Sequence, residues 1–472
     1  MERNKTFNGL FWSVTDNFLQ QITNFIVGVV LARILLPEQF GIIGIISIFI
    51  SISNTFINSG LSDALINKKE ATTKDYNTVF WANVIFGIFI YLVLYISSPY
   101  IALFFKQESL NDLIRITGIS IIIVSFSSIQ RTLLTKEINF KTITIISSIS
   151  VIISGCVALY MAFHGYGVLS LVVRMVLGQF ITLLLFWLLN RWRPKFIFDI
   201  NSFKEMYKYG SNLLLSKLIN SVYDNLYYFI IGKFFTPLNL GYYSRADSFK
   251  NLASNNITNT VQRVSFTVLS SKTEEKLQMD LFTKFLVSTF FATSFFMSLL
   301  FVCSNEIILI LIGPKWIPSI LYLKILSLSG LFIPLYKLNI NFLAVKNRTK
   351  LYFKIELFTK LFIIPTIIIG IKFGIIAMVY CIFFTSLLTY LTSVYTLKNT
   401  LSINYKNQLI LVSKGILLFL ISILLTYYFT FFKIENYYSI LFINSMLIFI
   451  VYLLGLFIFF PELVIEIKKL RK

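Results

Sequence analysis

The sequence has few charged side chains, few cysteines and almost no histidine. Only 13% of its 472 residues are charged, whereas soluble proteins have about 25%, and 57% are hydrophobic. The single histidine and three widely separated cysteines form neither a disulfide framework nor a metal-ligand spacing. We therefore expect an all-α integral membrane protein with no catalytic residues, no bound metal and no cofactor.

The second unusual feature is the excess of basic residues, which gives a net charge of +21. The cations are spread through short loops, and no soluble basic domain is present that could hold a duplex. We therefore expect no nucleic-acid partner. The bias of Lys and Arg toward cytoplasmic loops of membrane proteins explains the charge better.

Fourteen apolar stretches are long enough to cross a bilayer, which takes about 20 residues. Their approximate bounds are 9–31, 40–62, 78–100, 113–134, 142–162, 167–190, 209–232, 244–268, 282–304, 317–343, 353–371, 374–397, 408–431 and 438–460. The connecting segments on one side hold 26 Lys and Arg residues, and those on the other hold 7. This split predicts that both termini are cytoplasmic.

A pattern of polar and turn residues occurs twice, 200 positions apart. The paired positions are Asn17 and Lys217, Gln20 and Asn220, Asn24 and Asp224, Arg33 and Lys233, Pro37 and Pro237, and Gly41 and Gly241. The following stretch repeats in the same register, with Ser51, Thr55, Asn58 and Ser62 matching Asn251, Asn255, Thr258 and Gln262. This periodicity predicts an internal duplication.

The duplication divides the chain into three parts. We predict six-helix repeats at residues 1–200 and 201–400, followed by two extra helices and a basic tail at residues 401–472. Because each repeat has six helices, the first and seventh helices point the same way. The repeats are therefore predicted to be parallel.

Nine cations lie within or near the apolar stretches, where a cation facing lipid costs about 2.5–3.5 kcal/mol. Those near helix ends can extend to the interface, whereas deeper ones must face a cavity or pair with a neighbouring helix. We predict a cationic binding cavity formed by Arg174, Lys217, Arg263, Lys337 and Lys250. A polar stripe in the same cavity is predicted to contain Asn17, Gln20, Asn24, Asn58, Asn220, Asn255 and Gln262.

Two acidic residues lie deep in apolar stretches. Asp16 is in the first stretch and Asp224 is in the seventh. Each is either half of a structural ion pair or a site that couples transport to a proton or another cation. The sequence leaves both alternatives open.

Five segments resemble the polysaccharide exporters of the MOP superfamily, in the branch of colanic-acid, teichuronic-acid and O-antigen exporters. The segments are residues 31–41 (LARILLPEQFG), 59–66 (SGLSDALI), 78–83 (TVFWAN), 241–246 (GYYSRA) and 313–316 (GPKW). The resemblance implies a MATE-like fold with two bundles forming a V. It also implies a flippase that moves an undecaprenyl-pyrophosphate-linked oligosaccharide, such as an O-antigen repeat unit, to the outer leaflet of a bacterial inner membrane.

The resemblance implies lipid-linked oligosaccharide and membrane lipid as partners, alongside a polysaccharide polymerase and glycosyltransferases. We expect a monomer. We also expect that the protein is not an enzyme, because the longest predicted outer loop, about a dozen residues, is too short to host chemistry. A cation or drug antiporter of the MATE type stays open as the alternative. It would require an acidic or aromatic pocket, whereas cations outnumber acids within the predicted membrane stretches.

Overall fold

The structure, a computed structural model, describes residues 2–58, 60–270, 274–401, 405–430 and 436–459. Within those ranges the chain forms seventeen α-helices and one 3-10 turn at Pro314–Trp316. The first nine helices are α1 Glu2–Ile34, α2 Pro37–Asn58, α3 Leu61–Asn67, α4 Thr73–Phe105, α5 Leu110–Lys136, α6 Phe140–Phe163, α7 Val168–Leu189, α8 Ile200–Phe234 and α9 Pro237–Ser270. The others are α10 Glu275–Val302, α11 Ser304–Leu311, α12 Ile317–Val345, α13 Thr349–Lys360, α14 Ile363–Phe373, α15 Ile375–Leu401, α16 Tyr405–Thr430 and α17 Tyr437–Phe459.

The predicted all-α membrane fold is confirmed. Ten helical stretches among the described residues are long and apolar enough to cross a membrane. Helices α1, α8 and α9 are present but are not among the ten, because the polar stripes predicted from the sequence lower their hydropathy. The total of fourteen spans and the duplication therefore stay predictions.

The predicted eleventh span is interrupted in the middle. Helix α13 ends at Lys360 and α14 begins at Ile363, so the break falls at Leu361 and Phe362. The cause is Pro365, whose ring clashes with the carbonyl four residues earlier and which cannot donate a backbone hydrogen bond. By contrast, α12 continues through Pro334 without a break.

The chain forms two compact units, Met1–Gly241 and Tyr242–Lys472. The first includes α8, which packs against α2, α3 and α4. In the second, α10, α12 and α15 surround a core in which the rings of Phe282 and Phe342 stack at 4.2 Å. The repeat boundaries at residues 200 and 400 stay a prediction, because compact units are defined by contacts and repeats by common ancestry.

Two glycines allow a close crossing of helix starts within the first unit. A Cβ on Gly41 would overlap the carbonyl oxygen of Pro237, and a Cβ on Gly241 would overlap that of Pro37. Only glycine permits backbones to approach this closely. The contact is reciprocal, as two copies of one motif would make it.

Replacing Gly41 by Ala is expected to destabilise this crossing. The added methyl group must displace backbone rather than a flexible side chain, and such overpacking costs about 1–3 kcal/mol or more. Gly241→Ala should cause a similar loss, because the contact is reciprocal. Thermal unfolding of the purified protein in detergent measures both effects.

A suitable control is Gly178→Ala in α7, where the nearest neighbour of an added Cβ is the flexible Ser154 side chain, at 3.3 Å from its Oγ. Alanine is favoured over glycine within a helix by about 1 kcal/mol. The control should therefore be neutral or stabilising. Equal melting temperatures for all three variants would contradict the proposed role of the crossing.

Candidate functional site

Arg174 and Asn24 are brought together although they are 150 residues apart in the chain. Nη2 of Arg174, on α7, donates a hydrogen bond of 2.7 Å to Oδ1 of Asn24, on α1. Arg174 lies about 9 Å along α7 from its first residue, at 1.5 Å per residue. A guanidinium has five N–H donors, so this one bond leaves most of them available. The pair joins a predicted cavity cation to the predicted polar stripe.

The rest of the α1 stripe lies beside Asp16, which is buried. Nε2 of Gln20 donates to Oδ1 of Asp16 at 2.8 Å, one helical turn away. Asn17 and Asn24 are exposed, and Gln20 is half-buried. Asp16 therefore accepts a hydrogen bond from its own helix. The role of Asp16 in coupling transport to an ion stays a prediction.

Lys217 forms an ion pair with a neighbouring helix. Its Nζ lies 2.6 Å from Oδ2 of Asp63 on α3, and the two side chains are 49% and 24% exposed. Lys217 is therefore ion-paired with a neighbouring helix, and its place in a cationic cavity stays a prediction. Residue spacing alone does not indicate Asp63 as the partner, because only tertiary packing brings α3 against α8.

Removing the Lys217–Asp63 pair is expected to change stability little, because ion pairs at such exposure contribute about 0–1 kcal/mol. Lys217→Met should lower the free energy of unfolding by less than about 1 kcal/mol. A double-mutant cycle with Asp63→Asn, followed by denaturant titration, measures the coupling. A coupling above about 3 kcal/mol would instead indicate a pair shielded from solvent.

The face of α8 that carries the predicted stripe differs from the face that packs on α2. Ser221 and Asn225 face α2, where the Asn225 amide donates to Oγ of Ser51 at 3.3 Å. The predicted residues Asn220 and Asp224 lie one position earlier and so point in another direction. Asn220 is half-buried and Asp224 is exposed, as is Asn58 at the end of α2.

Lys250 is buried on α9 in the second unit. Its Nζ lies 2.7 Å from Oδ1 of Asp247, and the two side chains are 8% and 11% exposed. The amide of Asn251 donates to the other carboxylate oxygen of Asp247 at 2.8 Å. The ammonium is therefore satisfied within its own helix. Farther along α9, Asn255 and Arg263 are exposed.

The remaining predicted residues meet where α9 lies next to α12. Nε2 of Gln262 donates to the carbonyl oxygen of Lys337 at 3.4 Å, and the Asn341 amide donates to the carbonyl of Gln262 at 3.0 Å. Nζ of Lys337 is 4.0 Å from Oε1 of Glu356 on α13. The sequence placed Gln262 and Lys337 in one cavity, and they are neighbours here, but Asn341 was not predicted.

The described part of the chain holds no candidate metal centre. Among the side chains that the structure describes, no three or more His, Cys, Asp or Glu groups come close enough to hold a metal ion. The polar groups described above on membrane helices are mainly amides, hydroxyls, guanidinium groups and ammonium groups. These groups bind anions and hydroxyl-bearing ligands by hydrogen bonding.

Comparison with known proteins agrees with this chemistry. The family described as "Polysaccharide biosynthesis protein" matches residues 30–321. The chain is 29% identical to the teichuronic acid biosynthesis protein TuaB of Bacillus subtilis over 303 residues, which is 63% of this chain and 62% of TuaB. It is 24% identical to the lipopolysaccharide biosynthesis protein WzxC of Escherichia coli over 374 residues, 78% of this chain and 75% of WzxC. The match to TuaB thus spans less than two thirds of that protein.

Two solved structures share the fold. The lipid II flippase MurJ, in an inward closed conformation, has a TM-score of 0.81 at 18% identity, with 96% of this chain and all of the MurJ chain covered. An inward-facing MATE multidrug transporter of the MOP superfamily has a TM-score of 0.63 at 14% identity, covering 81% of this chain and 96% of the transporter. At these identities the likeness concerns the fold alone.

The apolar helices and their arrangement define a multi-pass membrane protein with the fold shared by MurJ and the MATE transporter. Within that class, the chain belongs to the polysaccharide biosynthesis protein family. The resemblance noted in the sequence is thereby confirmed.

Proposed function

We propose that the protein is a flippase that moves an undecaprenyl-pyrophosphate-linked oligosaccharide from the cytoplasmic to the outer leaflet of a bacterial inner membrane. The observation that carries this proposal is the family match over residues 30–321. Two relatives in the comparison are named for teichuronic acid and lipopolysaccharide biosynthesis. A flippase performs no covalent chemistry, so no catalytic residue is proposed.

Arg174 is the strongest candidate for binding the cargo. A lipid-linked pyrophosphate carries about two negative charges, and guanidinium groups bind phosphate oxygens through charge-assisted, often bidentate hydrogen bonds. Arg174 has donors left after its bond to Asn24. Lys217, Arg263 and Lys337 are proposed to assist it electrostatically. Lys250 is proposed to act more weakly, because Asp247 neutralises it.

The exposed amides support a role in binding sugar hydroxyls. Asn17, Asn24, Asn58 and Asn255 lie at the surfaces of their units, and polar groups on membrane helices face water or protein rather than lipid. Gln20, Asn220 and Gln262 are proposed to complete this polar lining. Asp16 and Asp224 are proposed as coupling groups if an ion drives the cycle.

The membrane potential favours the proposed direction of transport. Moving one negative charge outward through an inside-negative potential yields about 2.3 kcal/mol per 100 mV. We propose alternating access as the mechanism, with both termini cytoplasmic. The protein is proposed to act as a monomer alongside glycosyltransferases that build the cargo and a polymerase that extends it.

A cation or drug antiporter is the weaker alternative. The MATE transporter shares the fold, but the fold does not distinguish cargoes. The family match favours polysaccharide, and the ionised groups selected above include more cations than acids. Saturable binding of a cationic dye that polyprenyl pyrophosphate does not displace would favour the antiporter.

Deletion of the gene tests the proposed function. Loss of the flippase should leave lipid-linked oligosaccharide in the inner leaflet, so that surface polysaccharide falls while the lipid-linked precursor accumulates. An added glycosidase assigns the leaflet of the precursor. It reaches precursor in the outer leaflet of intact spheroplasts, and it reaches precursor in the inner leaflet only after lysis. Precursor that is fully accessible in intact spheroplasts of the deletion strain would exclude the proposal.

A further inference from the structure

The segment that joins α7 to α8, residues 190–199, is held firmly against α4. The backbone N–H of Lys195 donates to Oδ1 of Asn77 at 2.5 Å. The indole N–H of Trp81 donates to the carbonyl oxygen of Lys195 at 2.9 Å. These bonds fix the backbone of the linker, so its outward-facing side chains are presented in a defined arrangement.

The linker starts at the edge of the bilayer. Helix α7 has 22 residues and is therefore about 33 Å long, close to the hydrocarbon thickness of about 30 Å. Its last two residues, Leu188 and Leu189, are 76% and 56% exposed in the protein, as expected for side chains that face lipid. The linker that follows therefore lies at the depth of the lipid headgroups.

Three large apolar side chains extend outward from this fixed backbone. Phe196 is 93% exposed, Phe198 is 47% exposed and Ile200 is 61% exposed. They occupy alternate positions, and the ring of Phe196 stacks on Trp81 at 4.9 Å. Trp and Tyr concentrate at membrane interfaces, and Phe and Leu side chains form the apolar faces of segments that lie in the interface. These side chains are suited to insert at the acyl boundary.

The same surface is cationic. Five exposed basic side chains lie on the linker and the first turns of α8, and the structure records no ion pair for any of them among the residues it describes. They are Arg191, Arg193, Lys195, Lys204 and Lys208. Arg193 donates to the backbone carbonyl oxygens of Trp187, Asn190 and Trp192. Ile200, Lys204 and Lys208 share one face of α8, because they are four residues apart.

The two acidic groups nearby are already engaged. Asp199 caps α8 by accepting the backbone N–H of Asn201 at 2.8 Å. Oε2 of Glu205 accepts from Nζ of Lys68 at 2.9 Å. That hydrogen bond, together with the one from Lys68 to Asp75, raises the pKa of Lys68 against the lowering effect of burial. Asp199 keeps its negative charge, because its hydrogen-bond donors are neutral amides. The five exposed basic side chains outnumber these acids, so the surface stays cationic.

A pocket of about 460 Å³ opens on the same side of α8. Its lining residues are Glu205, Lys208, Tyr209, Asn212 and Leu213. Ammonium, amide and hydroxyl groups supply hydrogen-bond donors here, and a phosphate oxygen accepts such bonds. The Glu205 carboxylate also lines the pocket and is paired with Lys68 at 2.9 Å. The pocket thus offers hydrogen-bond donors to a phosphate group.

We propose that residues 190–200 and the first turns of α8 form a docking surface for anionic phospholipid headgroups. Charge complementarity selects this occupant, and the depth of the linker places it within reach. The distribution of Lys and Arg predicts that this end of α7 faces the cytoplasm, where anionic lipids attract basic segments close to membrane helices. This role is separate from cargo transport.

Lipid retention tests the proposal without a transport assay. The full chain is placed in nanodiscs of phosphatidylcholine with a minor fraction of phosphatidylglycerol, and retained lipid is counted by native mass spectrometry after mild extraction. Each Lys→Gln change at Lys195, Lys204 or Lys208 should reduce retained phosphatidylglycerol about 5-fold, and the triple variant about 100-fold. The triple Lys→Arg variant should retain it.

Three lysines elsewhere provide a matched control. Lys276, Lys350 and Lys354 are also exposed, and their triple Lys→Gln variant should keep wild-type retention. Equal retention by both triple glutamine variants would overturn the proposal. Preferential retention of polyprenyl pyrophosphate over phosphatidylglycerol would also overturn it and assign the surface to the cargo.

Insertion of Phe196 provides an independent measurement. Phe196→Trp adds an indole to the linker. We expect its fluorescence to be quenched by phospholipid that is brominated near the headgroup end of the acyl chain. Subtracting the fluorescence of the unsubstituted protein from that of the variant gives the signal of the new indole. If the added fluorescence is not quenched, the linker is not docked on the membrane.

Discussion

Export of the lipid-linked glycan is expected to fall about 10- to 100-fold when Arg174 is replaced by Ala. A hydrogen bond to a charged group contributes about 1.5–3 kcal/mol, and 1.4 kcal/mol corresponds to a factor of ten. The bond from Arg174 to Asn24 at 2.7 Å orients the guanidinium, and the remaining donors are then available to the pyrophosphate. Surface polysaccharide in a deletion strain complemented by each variant measures export.

Three further variants separate binding from folding. Arg174→Lys should retain part of the export, because the charge stays but bidentate geometry is lost. Asn24→Ala should reduce export less than Arg174→Ala, because it removes orientation and not charge. Arg131→Ala, an exposed position on α5, should export normally. If Arg174→Ala exports normally at equal protein levels, Arg174 does not bind the cargo.

The triple variant Arg174→Ala, Lys217→Ala and Arg263→Ala extends this test to the predicted cationic cavity. We expect export to be abolished while membrane levels of the protein are unchanged. The measurement is again surface polysaccharide, normalised to immunoblot signal. Normal export by the triple variant would refute the assignment of these cations to cargo binding.

Lys250→Met is expected to destabilise the protein by about 3–5 kcal/mol. The side chains of Lys250 and Asp247 are 8% and 11% exposed, with 2.7 Å between Nζ and Oδ1. Removing Lys250 takes away the cation that compensates the Asp247 carboxylate in a medium of low dielectric constant, while the hydrogen bond from Asn251 stays. Reversible denaturation in detergent, or the melting temperature where unfolding is irreversible, measures the loss.

A second ion pair in the same unit, with the same distance between nitrogen and oxygen, provides a control. Lys284 and Asp280 on α10 are also 2.7 Å apart, but their side chains are 33% and 55% exposed. Lys284→Met should therefore cost less than about 1 kcal/mol. Replacing both Lys250 and Asp247 by apolar residues should recover much of the stability. Equal losses for the two lysine variants would show that burial does not set the contribution of the pair.

The placement of the helices followed from the sequence. Each of the fourteen predicted stretches coincides with a helix or helix pair among the described residues, because apolar length is a local property. Four helices begin well before the predicted stretch: α1, α9 and α10 begin seven residues earlier, and α8 begins nine residues earlier, at Ile200. The first turns of α8 are polar and so lie outside the apolar stretch. The break at Leu361 is also a local effect, because it follows from Pro365 four residues later.

The partners of the candidate site residues did not follow from the sequence. The stripe on α1 was visible as a spacing, but its bond to Arg174 joins residues 150 positions apart. Lys217 was recognised as a deep cation, yet its pairing with Asp63 depends on α3 packing against α8. Lys250 was grouped with cavity cations, although its nearest acid, Asp247, was only three residues away.

The sequence by itself determined the class of protein, the helices, the repeated motif and the family resemblance, because hydropathy and residue spacing are properties of consecutive residues. Only the tertiary structure decided which charges are paired, which polar groups are exposed and how the linker lies against α4. Those outcomes depend on contacts between segments far apart in the chain, and helical periodicity does not specify which neighbour a polar face will meet.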